Sequence, residues 1–262
     1  MMGADYTTVT ELPGSGATQE QLSMLCKRYR VAGDLAEGKD VLEVACGPGI
    51  GLGYLAKRAR RVVAGDYDPK MIEIARDHYG PRIEIHQMDA QHLPFDSGTF
   101  DVVLLLEAIY YLPQPERFLA EARRVLRDNG ILFICSANRE WYGFNPSPFS
   151  FKYYSALELH QLLSEAGFKG EVFAGFPVAG RGLKSRILGM VRKVAVGLNL
   201  IPKTMRGKEM IKRLLYGKLS PVPSELTEGL GEFYPPIPVD GRMAVPDYKV
   251  IYAVGYLPSS KG

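Results

Sequence analysis

The stretch from Asp40 to Ala59, DVLEVACGPGIGLGYLAKRA, decides the fold. Asp40 to Cys46 is an apolar run of strand length, the glycines at 47, 49, 51 and 53 break it, and Leu55 and Ala59 resume at helical spacing. Strand, glycine loop and helix in that order open a parallel α/β unit. The pattern recurs downstream as strand Arg61 to Asp66, helix Pro69 to Tyr79, strand Arg82 to Asp89, strand Phe100 to Glu107, helix Pro115 to Arg127 and strand Ile131 to Ser136. Asn129-Gly130 reads as the stop between the last two. Upstream, Thr18 and Gln21 have capping-box spacing, and Leu22, Leu25, Cys26 and Tyr29 recur at helical intervals, predicting a helix over 18–36 closed by Gly38. A second box, Ser155 with Glu158, starts a helix ending near Gly167, and Glu171 to Val178 and Tyr248 to Leu257 read as the final strands. The expected fold is α/β, a mostly parallel sheet with helices on both faces.

The chain has 262 residues, enough for one large α/β domain or one with an insert. Its 46% hydrophobic and 23% charged residues fit a globular core and exclude a disordered or collagen-like chain. Three cysteines, Cys26, Cys46 and Cys135, lie far apart without metal-ligand spacing, arguing against a disulfide scaffold or a zinc site and for a reducing compartment. No leader-like apolar segment follows the start, and runs such as Val102 to Leu106 fall far short of the roughly 18 residues a bilayer span needs. The expectation is a cytoplasmic protein, or one peripheral to a membrane.

Net charge is +3, unevenly placed: between Arg181 and Lys218 eleven Lys/Arg face one acid, Glu209, giving +10 there and −7 elsewhere. Leu183, Ile187, Met190, Val191, Val194, Leu198 and Ile201 share one helical face in this segment. Three readings stand: a lid with solvated cations, a surface for an anionic membrane, or a site for a phosphorylated or lipid-linked acceptor. The expected organisation is a helical cover over residues 1–37, a core over 38–180, a basic helical insert over 181–246, and a final strand and tail over 247–262.

A glycine turn after the first strand lets a ligand approach the backbone, so a nucleotide-like cofactor is the leading reading. The dinucleotide spacing G-x-G-x-x-G fails, because Leu52 and Tyr54 stand where the third glycine belongs. Glu43, just before the loop, would repel a pyrophosphate but favour a ligand bearing an ammonium and a sulfonium; its alternative is a salt-bridge partner. Asp66, nineteen residues after Gly47, is placed to accept from two ribose hydroxyls, and Asp89 from an adenine amino group. Three acids at three strand ends, with no base in the loop, describe a phosphate-free adenosine site, and S-adenosylmethionine meets that description.

VLEVACGPGIGLGYLA, VVAGDYDPKMIEIAR, IEIHQMDAQHLPFDSGTFDVVLLLEAIYYL and FLAEARRVLRDNGILFI together resemble the successive motifs of class I S-adenosylmethionine-dependent methyltransferases, particularly the small-molecule group that includes quinone-biosynthesis enzymes. The resemblance spans roughly residues 38–136 and implies a Rossmann-like sheet of seven strands, the last antiparallel, with a helical insert before it. It implies that Glu43, Ala45, Cys46, Gly47, Gly49, Asp66, Tyr67, Met71, Asp89, Ala90 and Glu107 surround the cofactor. Ala45 replaces the usual first glycine, at little cost if its backbone angles are ordinary.

A sulfonium already activates its methyl, so the protein has to align a nucleophile, exclude water and take up a proton where there is one. Glu107, Tyr110 and Tyr111, in the turn after the fourth strand, are the candidate catalytic residues. A phenol of pKa near ~10 is a poor base at neutral pH, so the two tyrosines either orient substrate and wall the site or pack on the next helix. The four histidines show no metal spacing; His92, beside Asp89, is the one best placed. Trp141, Tyr142, Phe144, Phe149, Phe151, Tyr153 and Tyr154 crowd the loop after the fifth strand, as an acceptor pocket led by Trp141 and Tyr142 or as a plug for the next helix. The expected function is methyl transfer to an oxygen, nitrogen or carbon of a small acceptor; the alternatives are an NAD(P)-dependent oxidoreductase and a non-catalytic scaffold that binds S-adenosylmethionine. Nucleic acid is disfavoured, since Asn145-Pro146-Ser147-Pro148 follows the wrong strand for an amino-methylating DNA enzyme. Oligomeric state is not written in the sequence.

Overall fold

A computed structural model describes residues 9–178, 219–227, 235–240 and 243–259. The basic stretch over 181–218 therefore lies outside the described residues. The order of elements is β1 (Gly16–Ala17), α1 (Gln19–Ala36), β2 (Asp40–Val44), α2 (Leu52–Ala56), β3 (Arg61–Asp66), α3 (Pro69–Tyr79), β4 (Glu84–Gln87), β5 (Phe100–Leu106), α4 (Pro115–Val125), β6 (Leu126–Ala137), α5 (Ala156–Glu165), β7 (Lys169–Pro177), β8 (Ser220–Pro221), β9 (Ile237–Pro238) and β10 (Tyr248–Tyr256).

Local chemistry sets the helix starts. The Gln21 amide donates to Thr18 Oγ1 at 3.2 Å while the Thr18 amide donates to Gln21 Oε1 at 3.1 Å, the reciprocal pair that fixes the start of α1. Ser155 and Glu158 do the same for α5. Asp68 caps α3 by accepting from the Lys70 amide at 2.9 Å, with Pro69 at the first helical position.

Eight strands form one sheet in the order β4-β3-β2-β5-β6-β10-β7-β9. β2 is parallel to β3 and β5, and β5 to β6; β10 is antiparallel to both β6 and β7. The chain leaves β2 toward β3 and β4, then returns to lay β5 on the other side, so a crevice opens at the carboxyl ends of β2 and β5. Alternation along the strands divides the core in two. Tyr29 and Leu25 of α1, Leu52, Leu55 and Tyr79 cover Val41, Ala64, Leu104 and Phe133 on one face. Phe118, Leu119 and Leu163 of α4 and α5 cover Leu42, Val63, Leu105 and Ile134 on the other. Every residue of β2 is buried, as a strand covered on both faces requires. At the far end of the sheet Arg127 bridges Asp40 and Asp101 at 2.9 and 2.8 Å, and with Arg60 it holds the Asp40 carboxyl down to about 2.

The sequence expectation of seven strands with an antiparallel last one is met by β4 to β7 with β2, β3 and β10. The eighth, β9, is a two-residue edge strand containing a proline, too short for alternation to reveal. β1 and β8 pair separately, carrying the segment after residue 219 onto the N-terminal cover, and the Leu226 amide donates to Ile50 O, in the loop after β2, at 2.8 Å. The helix expected to reach Arg127 ends at Val125, and β6 begins at once. Asn129, at φ 60°, and Gly130 mark an irregularity in β6 rather than a stop between helix and strand.

Candidate functional site

A cavity of about 920 Å³ opens at the carboxyl ends of β2, β3 and β5. Its walls come from α1, the loop after β2, the ends of β3 and β5, residues 88–91, residues 108–113, and Phe149 and Phe151. The size suits a nucleoside-sized ligand together with a second small molecule.

The loop after β2 alternates left-handed backbone, with Ala45 at φ 57°, Gly47 at φ 57° and Gly49 at φ 79°. The condition for a small cost at Ala45, ordinary backbone angles, is not met, and a left-handed alanine costs roughly 1–2 kcal/mol. The alternation aims the Gly47 amide at Asp66 Oδ2, 2.8 Å away, and Asp66 Oδ1 accepts from the Asp68 amide at 2.9 Å. Two backbone donors thus fix the carboxylate at the end of β3, while burial pushes its pKa up. Asp89 is held likewise by the Gln91 amide at 2.9 Å.

Glu107, just after β5, has φ 55°, a second strained residue at the cavity. Its Oε2 accepts from the Tyr110 hydroxyl at 3.0 Å and its Oε1 from Cys135 Sγ at 3.4 Å. Burial raises the Glu107 pKa and Arg28 opposes the rise. The Tyr110 phenol is pushed well above its usual value by burial and by Glu107, so it stays a donor. Tyr110 also stacks on Tyr153 with centroids 4.1 Å apart, and the Tyr111 hydroxyl donates to Ser147 Oγ at 2.8 Å.

Of the residues predicted to surround the cofactor, Ala45, Cys46, Gly47, Asp66, Tyr67, Met71, Asp89, Ala90 and Glu107 line the cavity, as do Tyr110 and Tyr111. Glu43 and Gly49 do not. Glu43 is 1% exposed, lies under the loop, accepts from the Tyr29 hydroxyl at 2.6 Å and is pushed up to about 7 by burial. Gly49 is a framework residue, its carbonyl accepting from the Tyr79 hydroxyl at 2.7 Å. Trp141 and Tyr142 are likewise placed off the wall: Lys249 Nζ sits 5.2 Å from the Trp141 ring centroid, and Tyr142 faces outward. The same loop reaches the cavity through Phe149 and Phe151, 43% and 60% exposed. His92 is absent from the wall; its amide donates to Asp89 O at 2.9 Å, so its nearness to Asp89 shapes a turn. Sequence reasoning missed Arg28 and Glu11, which meet at the wall with Arg28 Nη2 2.7 Å from Glu11 Oε2. The available signal was a cation beside Leu25 and Tyr29 on the apolar face of α1. Among the described residues no cluster has metal-binding potential.

Comparison with known proteins agrees with this geometry. A model of a methyltransferase domain family matches residues 42–134. A probable S-adenosylmethionine-dependent methyltransferase of Mycobacterium tuberculosis (strain ATCC 25618 / H37Rv) is 37% identical over 143 residues, 52% of this chain and 51% of that protein. A phthiotriol/phenolphthiotriol dimycocerosates methyltransferase of Mycobacterium leprae is 42% identical over 98 residues, 36% of each chain. The chain therefore spans about half the length, or less, of these curated relatives. A crystal structure of a methyltransferase from Archaeoglobus fulgidus superimposes with a TM-score of 0.57 at 15% identity, covering 90% of this chain and 94% of that one, a likeness of fold. Residues 42–134 thus match the methyltransferase domain family, and the chain is similar to S-adenosylmethionine-dependent methyltransferases over about half of its length.

Proposed function

We propose that the chain transfers the methyl group of S-adenosylmethionine to a small apolar or lipid-linked acceptor, at an oxygen, nitrogen or carbon nucleophile. The observation that carries this reading is the Asp66 carboxylate, fixed by the amides of Gly47 and Asp68 on a wall where Glu11, Asp66, Asp68, Asp89 and Glu107 outnumber Arg28 and Lys70. Such a wall suits a cationic nucleoside and opposes a pyrophosphate, which disfavours the nicotinamide alternative. Bound there, the donor supplies a methyl group already activated by its sulfonium.

The chain's own residues do the rest. Asp66 holds a ribose diol, Asp89 and Ala90 flank the base, and Tyr67, Met71 and Met88 wall it from water. Glu107, oriented by Tyr110 and Cys135, is the group that takes up a proton when the nucleophile carries one. Tyr111 and the exposed Phe149 and Phe151 form an apolar mouth, and the mycobacterial relative named for dimycocerosates supports a lipid-like acceptor. Among the described residues no helix is long and apolar enough to cross a membrane. Peripheral contact of residues 181–218 with an anionic surface belongs to the same proposal, resting on their +10 charge.

Calorimetry with S-adenosylhomocysteine and with NADH tests the donor: binding of the first alone is expected, and binding of NADH alone overturns the reading. Labelled methyl transfer to lipid and aqueous fractions of a cell extract tests the acceptor. Incorporation into the lipid fraction is expected, incorporation only into the aqueous fraction removes the lipid-linked acceptor, and none in either favours the scaffold. Equal sedimentation with anionic and neutral vesicles removes the membrane contact.

A further inference from the structure

Residues 219–227 form a strap that runs beside the loop after β2 without lining the cavity. Val222 and Leu226 are buried in the core on the α1 face of the sheet. Between them, Glu225 Oε2 lies 3.0 Å from His78 Nε2 at the end of α3 and 3.3 Å from Arg82 Nη2 just beyond it. The other carboxylate oxygen fills the place of a missing side chain, for a Cβ at Gly53 in α2 would lie 2.0 Å from Glu225 Oε1. From the strap, hydrogen bonds reach the glycine loop and the N-terminal cover. The Leu226 amide donates to the carbonyl of Ile50, a wall residue, at 2.8 Å. Under the Glu225 carboxylate, the Gly53 amide donates to the Tyr79 hydroxyl at 3.0 Å, and that hydroxyl donates to Gly49 O at 2.7 Å. Val222 exchanges hydrogen bonds with Gly14 and Ser15 at 2.8 and 2.9 Å, shortly after wall residues 9–11. A lone exposed ion pair is worth little, but here the carboxylate, two apolar anchors and the Ile50 bond hold one short segment and are made or lost together.

We propose that Glu225 is a positioning residue for the methyl-donor site: it pins the strap beside the glycine loop, and the pinned strap holds Gly49 and Ile50 in the form that binds the donor. The inference rests on the donor reading and adds to it a control remote from the ligand. Neither Glu225 nor Leu226 lines the cavity, so a change at either reaches the donor only through the loop. Linkage makes the effect reciprocal. A strap that favours the bound donor is itself favoured when the donor binds.

The test uses the full chain with S-adenosylhomocysteine as the probe. In the wild type, saturating ligand is expected to slow amide hydrogen exchange at Val222 and Leu226 about 3- to 10-fold. The Val239 amide, bonded to Val172 O at 3.0 Å on the far edge of the sheet, should change by less than about 2-fold. By calorimetry, Glu225→Ala should weaken S-adenosylhomocysteine about 3- to 10-fold, as loss of a partly exposed charge-assisted contact does. Gly53→Ala leaves His78 and Arg82 in place and adds a better helix former to α2, yet its Cβ evicts the carboxylate. It should weaken binding by a similar factor, and the double variant should be no weaker than either single one, because both act through one contact. A strap that only stabilises the fold would lower the melting temperature of Glu225→Ala and leave the affinity unchanged; that result overturns the inference. So does wild-type affinity in Gly53→Ala, or slowing at Val239 equal to that at Val222 and Leu226. These results leave the donor reading intact. Only a wild-type chain that does not bind S-adenosylhomocysteine sinks that reading, and the inference with it.

Discussion

The Tyr29 hydroxyl on α1 donates a 2.6 Å hydrogen bond to Glu43 Oε1 on β2, and the second oxygen of that buried carboxyl has no hydrogen-bond partner among the described residues. Gly51 makes the approach feasible, since a Cβ there would lie 2.0 Å from the Tyr29 ring. The acid read from the sequence as a cofactor residue thus lies beneath the loop and off the cavity wall.

Burial raises Glu43 to about 7 from 4.5, so between those values the folded chain binds more protons than the unfolded one. Stability from this group is therefore complete below about pH 4.5 and is lost as pH rises toward 7, by roughly 3 kcal/mol. Glu43→Gln keeps an acceptor for Tyr29 and has no proton to lose. It should match the wild type at pH 5 and melt several degrees higher at pH 8; thermal unfolding across that range checks the difference in slope.

Asp66→Asn keeps the shape at the end of β3 but removes the charge that Gly47 and Asp68 address. S-adenosylhomocysteine binding should weaken by about 1.5–3 kcal/mol, and the melting temperature should fall somewhat, because the asparagine oxygen can accept from only one of the two backbone amides. Undiminished affinity by calorimetry would falsify the assignment of Asp66 to the ribose.

Ala45→Gly removes the left-handed strain at φ 57°, offset in part by the greater freedom of glycine in the unfolded chain. Denaturant unfolding should show a gain of about 0.5–1 kcal/mol. A loss would mean that the methyl's contacts at the cavity outweigh the strain.

The paired change Phe149→Ala and Phe151→Ala strips the apolar mouth without touching the acids. Once an acceptor is identified, its KM should rise about 10-fold or more, with donor affinity constant. An unchanged KM would place the acceptor on another part of the wall.

The sequence by itself determined the strand–loop–helix order, both capping boxes and the acids at the strand ends, because periodicity and caps are written over a few adjacent residues and need no distant partner. Asp66 was legible for that reason, since a strand's end fixes where its last side chain stands; Asp89 stands two residues past β4, in a turn held by the Gln91 amide. Tertiary packing alone decided the rest. It set the left-handed turn at Ala45, sank Glu43 beneath Tyr29, brought Glu11 to Arg28, and gave the cavity mouth to Phe149 and Phe151 instead of Trp141 and Tyr142. Each of these depends on which surfaces meet once α1 and the loop after β6 close over the sheet, and local spacing carries no record of such meetings.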